Sequence, residues 1–238
     1  ELESLPPGGW GYDHFPLSAA YTRTLGMDFL GMTGKFHQSW GEFGGFKHPN
    51  ALRYETALSI ANGAGCSIGD ELHPLGEMNH STYALIGRAY AEVEQKEPWI
   101  VGAKNIADIA VLSTEAVDHG SKGRDGYSSD IGANRILKEG HYLYNFVDLE
   151  EDFGKYKALV LPDVVKVDKA LQEKLSAYLS QGGKILATGQ SGVWKDKESF
   201  ALDFGAEYEG ENPFKPSYME PYFNMTNGKA QYVMYEQG

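Results

Sequence analysis

The 238-residue chain is long enough for one large or two ordinary domains, each able to bury a core, and two is the working count. Its formal net charge of −12 provides no basic cluster to offset repulsion from a nucleic-acid backbone or an anionic membrane, so neither is expected as a partner; a neutral or cationic ligand fits. The single cysteine, Cys66, excludes an intrachain disulfide and a thiolate zinc set, while 13% aromatic residues and 29 glycines suggest rings lining surfaces and many tight turns.

The opening Glu1-Leu2-Glu3-Ser4 has neither Met nor the basic and apolar regions of a signal peptide, and no apolar run approaches the roughly 18 residues of a membrane span. The chain stops just after the strand-like stretch 230–235, so both ends are expected to be cuts from a longer protein. A periplasmic or secreted location would then depend on an upstream signal.

Residues 5–16 are rich in Pro, Gly and rings and read as a loop. Ser18 to Leu25 reads as a helix stopped by Gly26, Met27 to Met32 as a short strand, and 33–45 as a glycine-punctuated loop at a strand end. Asn50 to Asn62 carries Leu52, Ala57, Leu58, Ile60 and Ala61 at helical spacing, with Asn50 as the candidate cap. Ala64 to Gly69 reads as a buried strand, followed by Asp70-Glu71-Leu72-His73-Pro74, and Ser81 to Glu94 as a capped amphipathic helix. This succession of helix, strand and loop is the unit of an α/β barrel.

Glu97-Pro98-Trp99 marks a boundary, dividing the chain into 1–98 and 99–238. Beyond it, strands are expected at 106–112, 142–147, 158–162 and 184–188, with helices at 129–139 and 168–180. Near-continuous apolar strands separated by helices indicate a parallel sheet covered on both faces. Asp163 and Asp168 read as strand-end and helix-cap groups, and Gly182-Gly183 as a helix stop.

Three segments carry a resemblance: Phe36-His37-Gln38-Ser39-Trp40-Gly41-Glu42, Ala61-Asn62-Gly63-Ala64, and Ile68-Gly69-Asp70-Glu71-Leu72-His73-Pro74. Together they resemble the last strands of the barrel in bacterial α-L-fucosidases and α-amylase-like glycosidases related in layout to family 42 β-galactosidases. Asp148-Leu149, Tyr156 to Pro162, Leu175 to Tyr178 and Gly182 to Gly189 resemble the β-galactosidase trimerisation domain. The resemblance implies the carboxyl-terminal portion of a (β/α)8 barrel followed by a flavodoxin-like, class I glutamine-amidotransferase-like α/β domain cut short at its carboxyl end. It also implies an oligosaccharide or glycoside substrate from a plant or host glycan, fucoside- or galactoside-like, and a homotrimer for the full-length protein. No cofactor is expected, and the scattered histidines argue against a metal site.

A glycosidase needs two carboxyl groups across the scissile bond. Glu42, between Trp40 and Phe43 in a glycine-flanked loop, and Glu71, directly after a strand, are the catalytic candidates. Layout in the related enzymes implies at most one catalytic carboxylate in this segment. With the earlier strands of the barrel outside this chain, Glu42 reads rather as a group that bonds loop amides or anchors a sugar hydroxyl. His37, Trp40, Asp70 and His73 are the substrate-binding candidates, with Trp40, Phe43, Trp10 and Tyr12 able either to stack on a pyranose or to plug the barrel mouth. In the second half Ser191 has no Gly-x-Ser-x-Gly elbow, and no histidine follows His141, so nucleophilic catalysis is not expected there. Three readings remain: part of a glycoside hydrolase whose isolated segment is inactive, a noncatalytic sugar-binding or oligomerisation module, and, last, an amidotransferase-like enzyme.

Overall fold

The computed structural model describes residues 1–119, 127–214, 217–219 and 233–235. Two compact units divide the chain, one of 1–109 with 131–147 and the other of 110–130 with 148–238.

The first unit opens with three strand–helix pairs: β1 (Leu2–Glu3), α1 (His14–Thr22), β2 (Leu30–Gly34), α2 (Pro49–Ala61), β3 (Gly65–Gly69) and α3 (His80–Ile100). The strands form a parallel sheet in the order β1-β2-β3, with Leu2 opposite Gly31 and Leu30 to Gly34 opposite Gly65 to Gly69. Consecutive strands joined by helices and lying side by side are the repeating unit of a (β/α) barrel. Phe15 and Ala19 of α1 pack with Ala64, Leu2, Phe29 and Leu58, and Leu52 of α2 packs with Ile86 and Ala89 of α3.

Several boundaries differ from the sequence expectation, each for a physical reason. Helix α1 begins four residues early, because Pro16 lies in a first turn whose N–H groups need no intrahelical partner. Strand β2 starts at Leu30 instead of Met27, since its position is set by glycine and not by apolar side chains. A Cβ on Gly31 would stand 2.6 Å from both Phe15 and Ser59, so only a bare backbone lets α1 and α2 approach the strand this closely. His48 caps α2, not Asn50: its Nδ1 accepts the Asn50 N–H at 3.2 Å, and Pro49 occupies the first helical position. Asn79 caps α3 through Ser81 and Thr82, and the helix runs through Pro98, whose missing N–H removes a single bond in the last turn. Strand β1 was not foreseen; two residues are too few to show a period.

The remaining elements are β4 (Ile109–Leu112), α4 (Thr114–Val117), α5 (Ser128–Glu139), β5 (Tyr144–Val147), β6 (Ala158–Leu161), α6 (Lys169–Ser180), β7 (Lys184–Ala187), β8 (Ser217–Met219) and β9 (Val233–Tyr235). Four of the strands share a sheet ordered β5-β4-β6-β7, in which β6 and β7 run parallel with Ala158 opposite Lys184, and β8 pairs antiparallel with β9. Of the expected terminal strand, 233–235 is β9 and 230–232 lie outside the described residues. Val111, Leu112, Leu159, Leu161 and Leu175 are fully buried, as their apolar runs require. Asp168 caps α6 by accepting the Leu171 N–H at 3.0 Å, and Gly182 ends the last turn with φ +91°.

Candidate functional site

The loops that follow β1, β2 and β3 emerge at the carboxyl ends of parallel strands, where barrel enzymes carry their chemistry. The loop from Lys35 to Lys47 is closed at its neck. The Lys47 N–H donates to the Lys35 carbonyl at 2.8 Å, and the Lys35 N–H donates to Gly69 at 3.0 Å. Inside the loop the Lys35 ammonium, 2% exposed, donates to the carbonyls of Phe43 (2.8 Å), Glu42 (3.3 Å) and Gly45 (3.5 Å). It also lies 5.1 Å and 5.5 Å from the ring centroids of Phe36 and Phe46. A buried ammonium without acceptors would be costly, so these carbonyls fix the loop around the lysine.

Trp40 sits in a notch made by two glycines. Gly34 and Gly69 are register partners at the ends of β2 and β3, and a Cβ on Gly69 would stand 2.7 Å from Trp40 Cη2. The ring meets Phe36 edge to face, with centroids 5.2 Å apart, and lies half-buried over the strand ends. Glu42, also half-buried, turns back on its own loop: Oε2 accepts the Gln38 N–H at 2.9 Å and the carboxylate lies over Gly45. Glu71 is exposed, and its Oε2 would be 2.9 Å from a Cβ on Gly41, whose φ of +80° itself calls for glycine. Both carboxylates thus lie against the 35–47 loop, Glu71 at Gly41 and Glu42 at Gly45. Asp70 is half-buried after β3, His37 stands exposed at the start of the loop, and exposed His73 accepts the Leu75 N–H through Nδ1 at 3.3 Å in a local turn. Trp10 packs edge-on against His14, centroids 4.6 Å apart.

Sequence reasoning missed the polar cluster behind this loop. Glu55 Oε2 pairs with the Lys47 ammonium at 2.5 Å and accepts the Thr33 hydroxyl at 2.5 Å; Oε1 accepts the Tyr12 hydroxyl at 3.1 Å. Partial burial, then the neighbouring Glu55 carboxylate, pushes Tyr12 up to about 12. Burial pulls the Lys47 ammonium below its usual range against the opposing pull of Glu55. A signal was present: Leu52, Glu55, Thr56, Ser59 and Ile60 form the buried stripe of α2, and a glutamate within such a stripe needs a buried partner.

In the second unit Asp130, 1% exposed, accepts the Ser113 and Thr114 hydroxyls at 2.9 Å each, together with the Thr114 and Glu115 N–H groups. Burial raises its pKa against the opposing effect of these bonds. Ser191 is 1% exposed, and its Oγ accepts the Val165 N–H at 3.0 Å. That places the hydroxyl in the packing, away from solvent. Among the described residues no cluster of three or more His, Cys, Asp or Glu could hold a metal ion, and no helix is long and apolar enough to cross a membrane.

This arrangement of a barrel segment and a parallel α/β unit has known counterparts. Residues 135–206 match the β-galactosidase trimerisation domain of family 42 glycoside hydrolases. That stretch is thus similar to the trimerisation domain, and the chain as a whole is similar to part of glycoside hydrolases of the fucosidase and family 42 type. In particular, it is similar over 99% of its length to α-L-fucosidase isoenzyme 2 from Paenibacillus thiaminolyticus, with 52% identity and a TM-score of 0.92, covering 36% of that chain. The fold is shared with the β-galactosidase from Bacillus circulans sp. alkalophilus, at 17% identity and a TM-score of 0.64, over 80% of this chain and 32% of that one. β-Galactosidase LacZ of Lactobacillus acidophilus is 22% identical over 186 residues, 69% of this chain and 28% of that protein. The chain therefore spans about a third of the length of its relatives.

Proposed function

We propose that this chain forms one wall of the sugar pocket in a glycoside hydrolase that cleaves O-glycosidic bonds of a fucoside- or galactoside-like glycan. Residues 1–98 supply the wall, and 99–238 mediate assembly into a homotrimer. The observation that carries the reading is Trp40 seated on Gly34 and Gly69 at the ends of parallel strands, within a loop pinned from inside by Lys35. A ring fixed in this way offers an apolar platform to the C–H face of a pyranose at no ordering cost. His37 on the loop after β2, and Asp70 and His73 on the loop after β3, are the residues proposed to bind sugar hydroxyls. Glu71, the more exposed carboxylate, is the better candidate for reaction chemistry. Glu42 already satisfies the Gln38 amide and serves the loop. The second carboxylate of the pair comes from barrel strands outside these residues, because retaining and inverting mechanisms both need two such groups on opposite sides of the bond.

Aryl α-L-fucosides and β-D-galactosides test the proposal. A longer protein spanning the length of the relatives is expected to turn one of them over, whereas the 238-residue chain is expected to be inactive. In the longer protein Glu71→Gln should lower kcat by at least about a hundredfold, the scale of a lost acid or base, and Glu42→Gln much less. Turnover by the 238-residue chain that survives repurification and disappears in Glu42→Gln would reverse the assignment of the two carboxylates. Sedimentation velocity tests assembly, and a longer protein that stays monomeric across the micromolar range would remove that role from 99–238.

A further inference from the structure

Behind the loop that carries Trp40, one carboxylate collects three pieces of chain. Glu55, 5% exposed on α2, bonds Tyr12 from the segment after β1, Thr33 from β2 and Lys47 from the end of the 35–47 loop. The two loops also touch each other directly. A Cβ on Gly8 would overlap the carbonyl oxygen of Gln38, so the segment after β1 abuts the Trp40 loop through bare backbone. Both loops therefore meet at the mouth and are fastened to the same group below it.

Packing alone does not call for a carboxylate at this position, which also borders apolar Phe15, Met32 and Leu58. A buried ion pair brings little net stability over an apolar replacement, and its best-attested use is to fix one arrangement against others. We infer that Glu55 is a positioning residue for the pocket: it sets the register between the segment 5–13, with Trp10 and Tyr12, and the loop 35–47, with His37, Trp40 and Glu42. The consequence for turnover rests on the glycosidase reading above. The coupling of the two loops depends only on the fold.

Amide hydrogen exchange on the full chain tests the coupling without any substrate. The hydrogen-bonded amides of Gly8 and Gly11 report on the first loop, and those of Gln38, Gly45 and Lys47 on the second. Glu55→Gln is expected to speed exchange in both groups by about tenfold or more while the β3 amides keep their wild-type rates. Tyr12→Phe, which removes only the hydroxyl, is a milder variant that folds if Glu55→Gln does not, and it should speed both groups by a smaller factor. Ile86→Ala, in the α2–α3 core, is expected to lower overall stability without this paired signature. Faster exchange confined to one loop, or spread evenly over the chain, overturns the inference. In a longer protein with measured turnover, Tyr12→Phe should lower kcat more than it raises KM when both proteins are assayed well below their melting temperatures; unchanged kinetics alongside loosened loops would separate the loops from catalysis. A longer protein with no turnover at all would count against the glycosidase reading and leave the exchange result standing.

Discussion

Replacing Gly69 with alanine tests whether Trp40 is held by the glycine notch. The new methyl would overlap Trp40 Cζ3 and stand 2.7 Å from its Cη2 and 3.0 Å from Met32 Cε. Unstrained carbon contacts lie at roughly 3.5–4.0 Å, so the indole must retreat by roughly 1–2 Å. Its retreat is opposed by Phe36, packed against the ring at a centroid distance of 5.2 Å. Overpacking of this kind costs about 1–3 kcal/mol, which for a chain of this size lowers the melting temperature by roughly 2–12 °C. Urea melts give the free energy, and near-ultraviolet circular dichroism reports the displaced indole. Gly44→Ala is the control in the same loop: a Cβ there meets nothing within 4 Å, and the effect should stay within about 0.5 kcal/mol. A Gly69→Ala protein with the wild-type urea midpoint and an unchanged indole band would refute the notch.

Three further outcomes follow from groups described above. Tyr12 is pushed up from 10.0 to about 12 in the folded chain, so its contribution to stability is complete below pH 10 and is lost as the pH rises toward 12. Urea midpoints measured across that window should fall less steeply in Tyr12→Phe than in the wild type, and identical slopes would mean that burial and Glu55 do not raise the Tyr12 hydroxyl in the folded chain. Asp168→Ala removes the cap of α6 and should cost about 1 kcal/mol, with Asp168→Asn retaining most of it. Because the Leu171 amide and Lys195 hold the Asp168 carboxyl below its ordinary range, its contribution is present above about pH 4 and is lost on acidification, so the cost of Asp168→Ala should shrink in acid. Asp130→Ala strands two hydroxyls and two amides in the interior and should cost about 2–4 kcal/mol; a loss below 0.5 kcal/mol in urea melts would show that water replaces the carboxylate freely.

What was legible in the sequence was whatever repeats or punctuates. Helix α2, strand β3, which starts one residue late and is half-buried where the sequence suggested a buried strand, the Asp168 cap and the Gly182 stop all announce themselves in local patterns. Helix α6 and strand β6 fall within a residue of expectation for the same reason. The misplaced start of β2 is different in kind. Its position is decided by how closely Gly31 lets Phe15 and Ser59 approach, and these residues are separated in sequence. At the candidate site, the sequence pointed to the loop and its rings, because a glycine-rich run of aromatic and polar residues after a strand is a local signal. It did not show that Lys35 fills that loop, that Glu42 turns back onto Gln38, or that Glu55 joins Tyr12 to Lys47. Each of these depends on one side chain meeting a partner 4 to 43 positions away, for which no period exists.

The Asp130 clamp has a chemical consequence for the unit that contains it. Acyl-transfer enzymes of parallel-sheet architecture hold an oxyanion with backbone N–H groups at the start of a helix that follows a strand. After β4 those donors are already spent: Thr114 and Glu115 direct their amides to Asp130, and the Ala116 amide goes to the Ser113 hydroxyl. The buried Asp130 carboxyl already occupies the donors that a reacting carbonyl would need. A cysteine or serine grafted at this strand end would find those stabilising donors already occupied.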